Sequence, residues 1–194
     1  MTKKYQTGST ISDFSFITPW EGEKTFYSVS AGKKKVLFFL RYYGCPVTQL
    51  KVHELTESYG KFSGAGAQLY VAMQSSVEMV CSKFKKENVN FEIICDPEGV
   101  LYRLFDIGYT HLSYVMNAGT LAPGVIPPSQ EYKTKLQNMV DEARALGLTH
   151  DLYEGCEQQL HAIFVLDENH KALFVHYAKD VVDFPPIDEL LGYL

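Results

Sequence analysis

Arginine is scarce in this sequence: Arg41, Arg103 and Arg144 are the only three in 194 residues. Lysine and arginine together number 18 against 23 acidic residues, giving a net charge of −5 and a pI near 5.7. No basic stripe stands out. That argues against nucleic acid and against an anionic membrane as partner, because both are bound through positive faces. Long apolar runs are missing too. None exceeds Val36 to Leu40, far short of the roughly 20 residues needed to cross a bilayer. The N-terminal MTKKYQTGSTISDF has no apolar signal core, so a cytoplasmic protein is expected. Cysteines stand at 45, 81, 95 and 156, with no CxxC pair. Such loose spacing fits neither a zinc site nor a secreted disulfide framework, and no metal or cofactor is expected. Internal repeats and low-complexity tracts are absent.

What is present suffices for a core. The chain is 46% hydrophobic and 21% charged, and its length suits one domain over 1–194, or one domain with an insertion. ISDFSFITPWEGEKTFYSV reads as two short strands around Glu21-Gly22, with Phe14 and Phe16, then Phe26 and Ser28, alternating with their neighbours. KKVLFFLRYY is a continuous apolar strand of the kind buried on both faces in a parallel sheet. From Pro46 the pattern turns helical and should stop near Gly60 or Gly64. AQLYVAM is strand-like. SSVEMVCSKFKKENV predicts a helix capped by Ser76, with Val77, Val80, Cys81 and Phe84 on one face. FEIICD is a strand stopped by Asp96-Pro97, and GVLYRLF a short helix. Residues Ala118 to Gln130, rich in proline and glycine, predict an irregular loop that folds over a site. EYKTKLQNMVDEARALGL predicts an exposed amphipathic helix. A hairpin, HAIFVLDENHKALFVHYA, turns at Asp167 to His170, and a last helix starts at Pro185-Pro186. The order is α/β, with parallel crossovers followed by an antiparallel hairpin and a closing helix, which is the thioredoxin arrangement.

Cys45 falls where the central strand ends and a helix begins, between Gly44 and Pro46. The first turn of a helix has unpaired N–H groups and a partial positive charge, both of which stabilise a thiolate. Proline costs nothing at the first helical position. Cysteines placed this way reach pKa values of roughly 3.5–7.5. Arg41, four residues upstream, adds a positive charge if it turns inward, and Thr48, one turn on, has a hydroxyl that can donate to the sulfur. The competing reading makes Cys45 a small inert hydrophobe, as most free cysteines are. Tyr42 and Tyr43 are candidate pocket walls.

GCPVT, after a VLFFL strand and before a helix, resembles the active-site segment of the AhpC/TSA group, the peroxiredoxins and their relatives. GSTISDFSFITPWEGEKTFYSV is similar to that group's N-terminal hairpin. VAMQSSVEMVCSKFKKENVNFEIICDPEGVLYRLFDI and AIFVLDENHKALFVHYAKDVVDFPPIDELL are similar to its later segments. The strongest likeness is to the branch whose active site reads R-x-x-G-C-P-x-C. The resemblance implies a thioredoxin-like fold with an N-terminal β-hairpin, a central mixed sheet flanked by helices and an insertion around 118–150. It also marks departures. Tyr42 and Phe38 stand where typical members carry the Thr and Pro that shape the peroxide pocket. Thr48 replaces the second cysteine. The later pocket arginine has no evident match. The cis-proline that faces the cysteine in this fold corresponds to His161, where a trans peptide or a rebuilt loop is expected because a cis bond there would cost about 2.5–4 kcal/mol.

By that resemblance His161 faces Cys45, as an imidazolium beside a thiolate or as a neutral base; otherwise it is a strand-start histidine bonded to the backbone. Among the other cysteines, Cys81 and Cys95 read as core and Cys156, in polar EGCEQQ, as the best resolving cysteine. His53 is two turns beyond Cys45, too far to reach it, and His111, His150, His170 and His176 have no metal-like spacing. KKK at 33–35 and KFKK at 83–86 read as solvated ends. Two functions follow. The first is a thiol-dependent peroxidase or oxidoreductase with Cys45 as its single nucleophile, acting on a peroxide or disulfide and reset by a thioredoxin-, glutaredoxin- or glutathione-type reductant; a monothiol disulfide reductase is its variant. The second is a non-catalytic or redox-sensing thioredoxin-like binding module. Relatives often dimerise through sheet edges or the active-site end, so a homodimer is implied by resemblance alone.

Overall fold

The computed structural model describes residues 4–110, 128–152 and 154–194. His111 and the expected irregular loop lie outside these residues, apart from 128–130. Seven strands form one sheet in the order β2-β1-β5-β4-β3-β6-β7. The parallel centre is β3 (Lys34–Phe39), β4 (Ala67–Met73) and β5 (Glu92–Cys95). On one side of it β6 (Ala162–Leu166) and β7 (Ala172–Tyr177) add as an antiparallel hairpin. On the other side β1 (Ser15–Thr18) runs antiparallel to β5 and pairs with β2 (Gly22–Thr25). This is the mixed thioredoxin-like sheet that the order of elements implies.

Period two explains why β3 sits at the centre. Leu37 and Phe39 face one layer, with Phe14, Phe26, Tyr102 and Phe164. Val36, Phe38 and Leu40 face the other, with Leu55, Phe62 and Ile163. Only a strand covered on both faces can bury every residue of VLFFL, at about 1.5–3 kcal/mol of stabilisation for each large side chain. The first layer carries α1 (Phe26–Ser30) and α4 (Val100–Leu104). The second carries α2 (Pro46–Gly64), α3 (Val77–Lys83) and α6 (Ile187–Leu191). A further helix, α5 (Gln130–Ala145), is the expected amphipathic one; it packs on α2 and is capped by Ser129, whose Oγ accepts from the Tyr132 amide.

Three local expectations are corrected. FYSVS is helical, not strand. Phe26 and Ser30 are the buried pair, one turn apart, and Ser30 Oγ meets His170 Nε2 at 2.9 Å. Positions four apart share a face in a helix and in a strand alike, so Phe26 and Ser30 satisfy either period, and packing chose the helix. Next, α3 ends at Lys83, with Phe84 extended. Ser76 caps it as expected, its Oγ accepting from the Met79 amide at 3.1 Å, but Met79 and Val80 form the buried face. Cys81 is therefore exposed, contrary to its assignment as core. Finally, α6 begins at Ile187, with Pro186 as its N-cap.

The exit from β3 is held by Tyr102, buried on α4. Its hydroxyl lies 3.0 Å from the Ala72 carbonyl and in hydrogen-bond contact with the Leu40 carbonyl, one residue before Arg41. The Leu40 amide already donates to Ala72. Tyr102→Phe should thus leave the Leu40 carbonyl buried without this donor and destabilise the fold by about 1–3 kcal/mol, measured as a shift of the urea unfolding midpoint.

Candidate active site

Cys45 is the N-cap of α2, in extended conformation, and Pro46 is the first helical residue. The turn is closed by the Cys45 amide, which donates to the Tyr42 carbonyl, and by the Cys45 carbonyl, which accepts from Gln49. The 19-residue helix has no acidic residue in its first turn to offset its positive end. Arg41 turns inward: Nη1 donates to Cys45 Sγ at 3.4 Å. Both groups are buried, with Cys45 4% exposed and Arg41 8%. A buried guanidinium is costly without an anionic or polar partner, and the sulfur supplies one. Arg41 also lies over the Tyr42 ring, 5.5 Å from its centroid.

A cavity of about 470 Å³ opens beside the sulfur. Cys45, Pro46 and Val47 from α2 form one wall, and Arg41 and Tyr42 another. Opposite stand Leu136, Val140 and Arg144 of α5, and the strap that follows it, Leu148 to His150. Glu157 completes the described rim. Gln49 Nε2 donates to the Thr149 carbonyl at 2.7 Å, the Asp151 amide donates to the Gly44 carbonyl at 3.0 Å, and Lys83 pairs with Asp151. A Cβ on residue 44 would overlap the Leu152 carbonyl oxygen. Gly44 is thus required by the closeness of the strap, a role its position before Cys45 did not reveal.

The remaining candidates divide. Tyr42 is a wall of the cavity. Tyr43 turns away: its amide donates to Ser75 Oγ at 2.8 Å and its ring packs on Phe84, with centroids 4.8 Å apart. Phe38 is in the core. Thr48 is buried one turn into α2, but the described hydrogen bond to the sulfur comes from Arg41. Cys95 is inert, its thiol pushed up to about 12 chiefly by burial. Cys156 is half-buried; its amide donates to Gln74 Oε1 at 3.1 Å, next to Gly155, which lies against Tyr42. The Cys156 segment therefore borders the cavity. Arg144, which has no evident match to the family's pocket arginine, does reach it. Its signal in the sequence was spacing: Leu136, Val140 and Arg144 recur every four residues, one face of a helix.

His161 is engaged elsewhere. The peptide before it is trans, since none of the described peptides is cis. The ring stacks on Phe184 at 3.7 Å, and Nε2 donates to the Asp183 carbonyl at 2.9 Å, as His176 Nε2 does at 2.7 Å. Burial, above all, lowers its pKa to about 3. His161 is therefore neutral at pH 7, and the backbone-bonded reading describes it, not an imidazolium beside the sulfur. Among the described residues no group of three or more His, Cys, Asp or Glu is placed to hold a metal, and no helix is long and apolar enough to cross a membrane.

Two outcomes follow. Gly44→Ala should push the strap off α2, destabilise the protein by about 1–3 kcal/mol, and speed the alkylation of Cys45; unchanged stability and labelling would contradict the packing described. A histidine with a depressed pKa in the fold is protonated first in the unfolded chain. Stability should therefore fall as pH drops from about 6.5 toward 3. His161→Gln, which keeps an N–H donor without the titration, should flatten that slope in urea midpoints measured from pH 7 to 4.5.

The AhpC/TSA family model matches residues 7–172. Comparison with curated proteins gave no match. Among solved structures, the peroxidoxin BcpB from Mycobacterium tuberculosis superposes with a TM-score of 0.63 at 14% identity, covering 97% of this chain and 95% of that one. The yeast mitochondrial 1-Cys peroxiredoxin gives 0.60 at 18% identity, covering 96% and 73%. A thiol peroxidase from Chromobacterium violaceum gives 0.63 at 10% identity, covering 99% and 87%. At such identities the structural likeness speaks for the fold. The family match adds more, because it spans the whole crossover from β3 through α2 to β5 that carries Cys45, and on that ground the chain belongs to the AhpC/TSA family.

Proposed function

We propose that the chain is a thiol peroxidase that uses Cys45 as its nucleophile. The observation that carries this reading is the Arg41 guanidinium on Cys45 Sγ at the positive end of α2, facing a cavity. A donor on the sulfur stabilises the thiolate over the thiol. The thiolate attacks the terminal oxygen of a hydroperoxide. An S–O bond forms, the O–O bond breaks, and the departing oxygen leaves with a proton as alcohol or water. Cys45 is then a sulfenic acid, oxidised by two electrons. A second thiol condenses with it, releasing water and forming a disulfide, and an external thiol reductant restores Cys45. Cys156, at the cavity's border, or a small thiol fills the second role. Family membership supports the reaction class, and Thr48 in place of a second cysteine supports a single nucleophile on α2.

A protein disulfide fits less well. Sγ lies buried beneath α5 and its strap, so a small oxidant reaches it more readily than a bulky one. A binding module would have no use for a guanidinium aimed at the sulfur.

At pH 7 iodoacetamide should label Cys45, and Arg41→Met should slow that labelling about ten-fold, the loss of one charge-assisted hydrogen bond. Stoichiometric peroxide should yield a dimedone-trapped sulfenic acid at Cys45, read by mass spectrometry. Peroxide consumption that survives Cys45→Ser would sink the proposal.

A further inference from the structure

We infer that Arg144 anchors an anionic head group in the Cys45 cavity, so that the site takes a carboxylate-bearing organic hydroperoxide with an apolar body. The reaction rests on the peroxidase reading above; the binding does not.

Hydrogen peroxide is little larger than water and needs only a few donors. The cavity is about 470 Å³, the size of a cleft for a small organic molecule. Its described walls are largely apolar, through Tyr42, Val47, Leu136, Val140 and Leu148. Water against such walls is released favourably by an apolar ligand. The inserted segment supplies three of these five residues, and it also supplies Arg144. Leu136, Val140 and Arg144 follow one another on a single face of α5. Leu136 and Val140 pack against the cluster of Tyr42, Cys45 and Val47. Arg144 lies one further turn along, about 6 Å by helix geometry. The stripe that meets Cys45 is thus apolar where it touches the sulfur's surroundings and cationic where it leaves them.

The other charges on the cavity leave this position to Arg144. Arg41 is committed to the sulfur. Glu157, also on the rim, repels a carboxylate and directs the head group to the α5 side. Arg144 itself pairs with Asp141 at 2.8 Å, with side chains 67% and 52% exposed. An exposed pair of this kind contributes little stability, so a ligand carboxylate can replace Asp141, matching the guanidinium fork with two oxygens. The apolar body then lies between α5 and Val47, with the hydroperoxide toward Sγ.

The test uses protection of Cys45 from iodoacetamide by decanoate and by decanamide, which share a chain and differ in charge. Decanoate should protect the wild-type protein at about ten-fold lower concentration. Arg144→Gln should erase that advantage, Arg144→Lys keep part of it, and Glu157→Gln enlarge it. Equal protection by acid and amide, protection by neither, or an acid advantage that survives Arg144→Gln would overturn the inference. Peroxide assays with the ten-carbon hydroperoxy acid and its methyl ester complete it, with the ester expected to show the higher KM. Protection by decanoate without any turnover of the hydroperoxy acid would overturn the peroxidase reading and leave the Arg144 site standing.

Discussion

Two backbones meet where the Asp151 amide donates to the Gly44 carbonyl, and they come so close that residue 44 can carry no side chain. The contact ties the segment after α5 to the residue before Cys45. Gln49 holds the same strap from within α2, and Lys83 holds it from α3. With the strap fixed, the Leu136–Val140–Arg144 face lies over Cys45 and the sulfur looks into a cavity, not into solvent. The fold would survive another loop here. This particular pocket would not.

Charge is distributed around that pocket by burial. Arg41 is buried and its Nη1 donates to the sulfur. His161 is buried more deeply still and stays neutral, its Nε2 directed at a backbone carbonyl. The two differ for a simple reason. A guanidinium cannot shed its proton and therefore requires partners, whereas an imidazole avoids desolvation by giving its proton up. The cation at the sulfur is thus arginine, on the strand side, and the histidine that the resemblance aligns with the family's proline stacks on Phe184.

The family match over residues 7–172 takes in both the centre of the sheet and the pocket. β3, α2, β4 and β5 lie inside the matched region and keep the thioredoxin-like sheet at identities of 10–18% to the solved neighbours. A hydrophobic strand and a helix start tolerate such divergence because many sequences meet their demands. The cavity walls come from the start of α2, from α5 and its strap, and from Tyr42, where family members carry a small hydroxyl residue by the resemblance.

Much of this could be read along the chain. VLFFL required a strand buried on both faces, Ser76 announced a helix start, and Cys45-Pro46 marked the first turn of another, because each depends on neighbours within a few residues. FYSVS was ambiguous for the same reason: a helix and a strand both place Phe26 and Ser30 on one face, and the fit of Phe26 against Tyr70 and His170 decided it. Cys81 was misplaced because the end of α3, not its periodicity, set its exposure. Local pattern was enough for the α/β class, the central strand and the place of the cysteine. Long-range packing is what turns Arg41 to the sulfur and His161 to Asp183, and what brings Arg144 to a cavity shared with Cys45. Those contacts join segments far apart in the chain, and local periodicity says which face is buried but not what it is buried against.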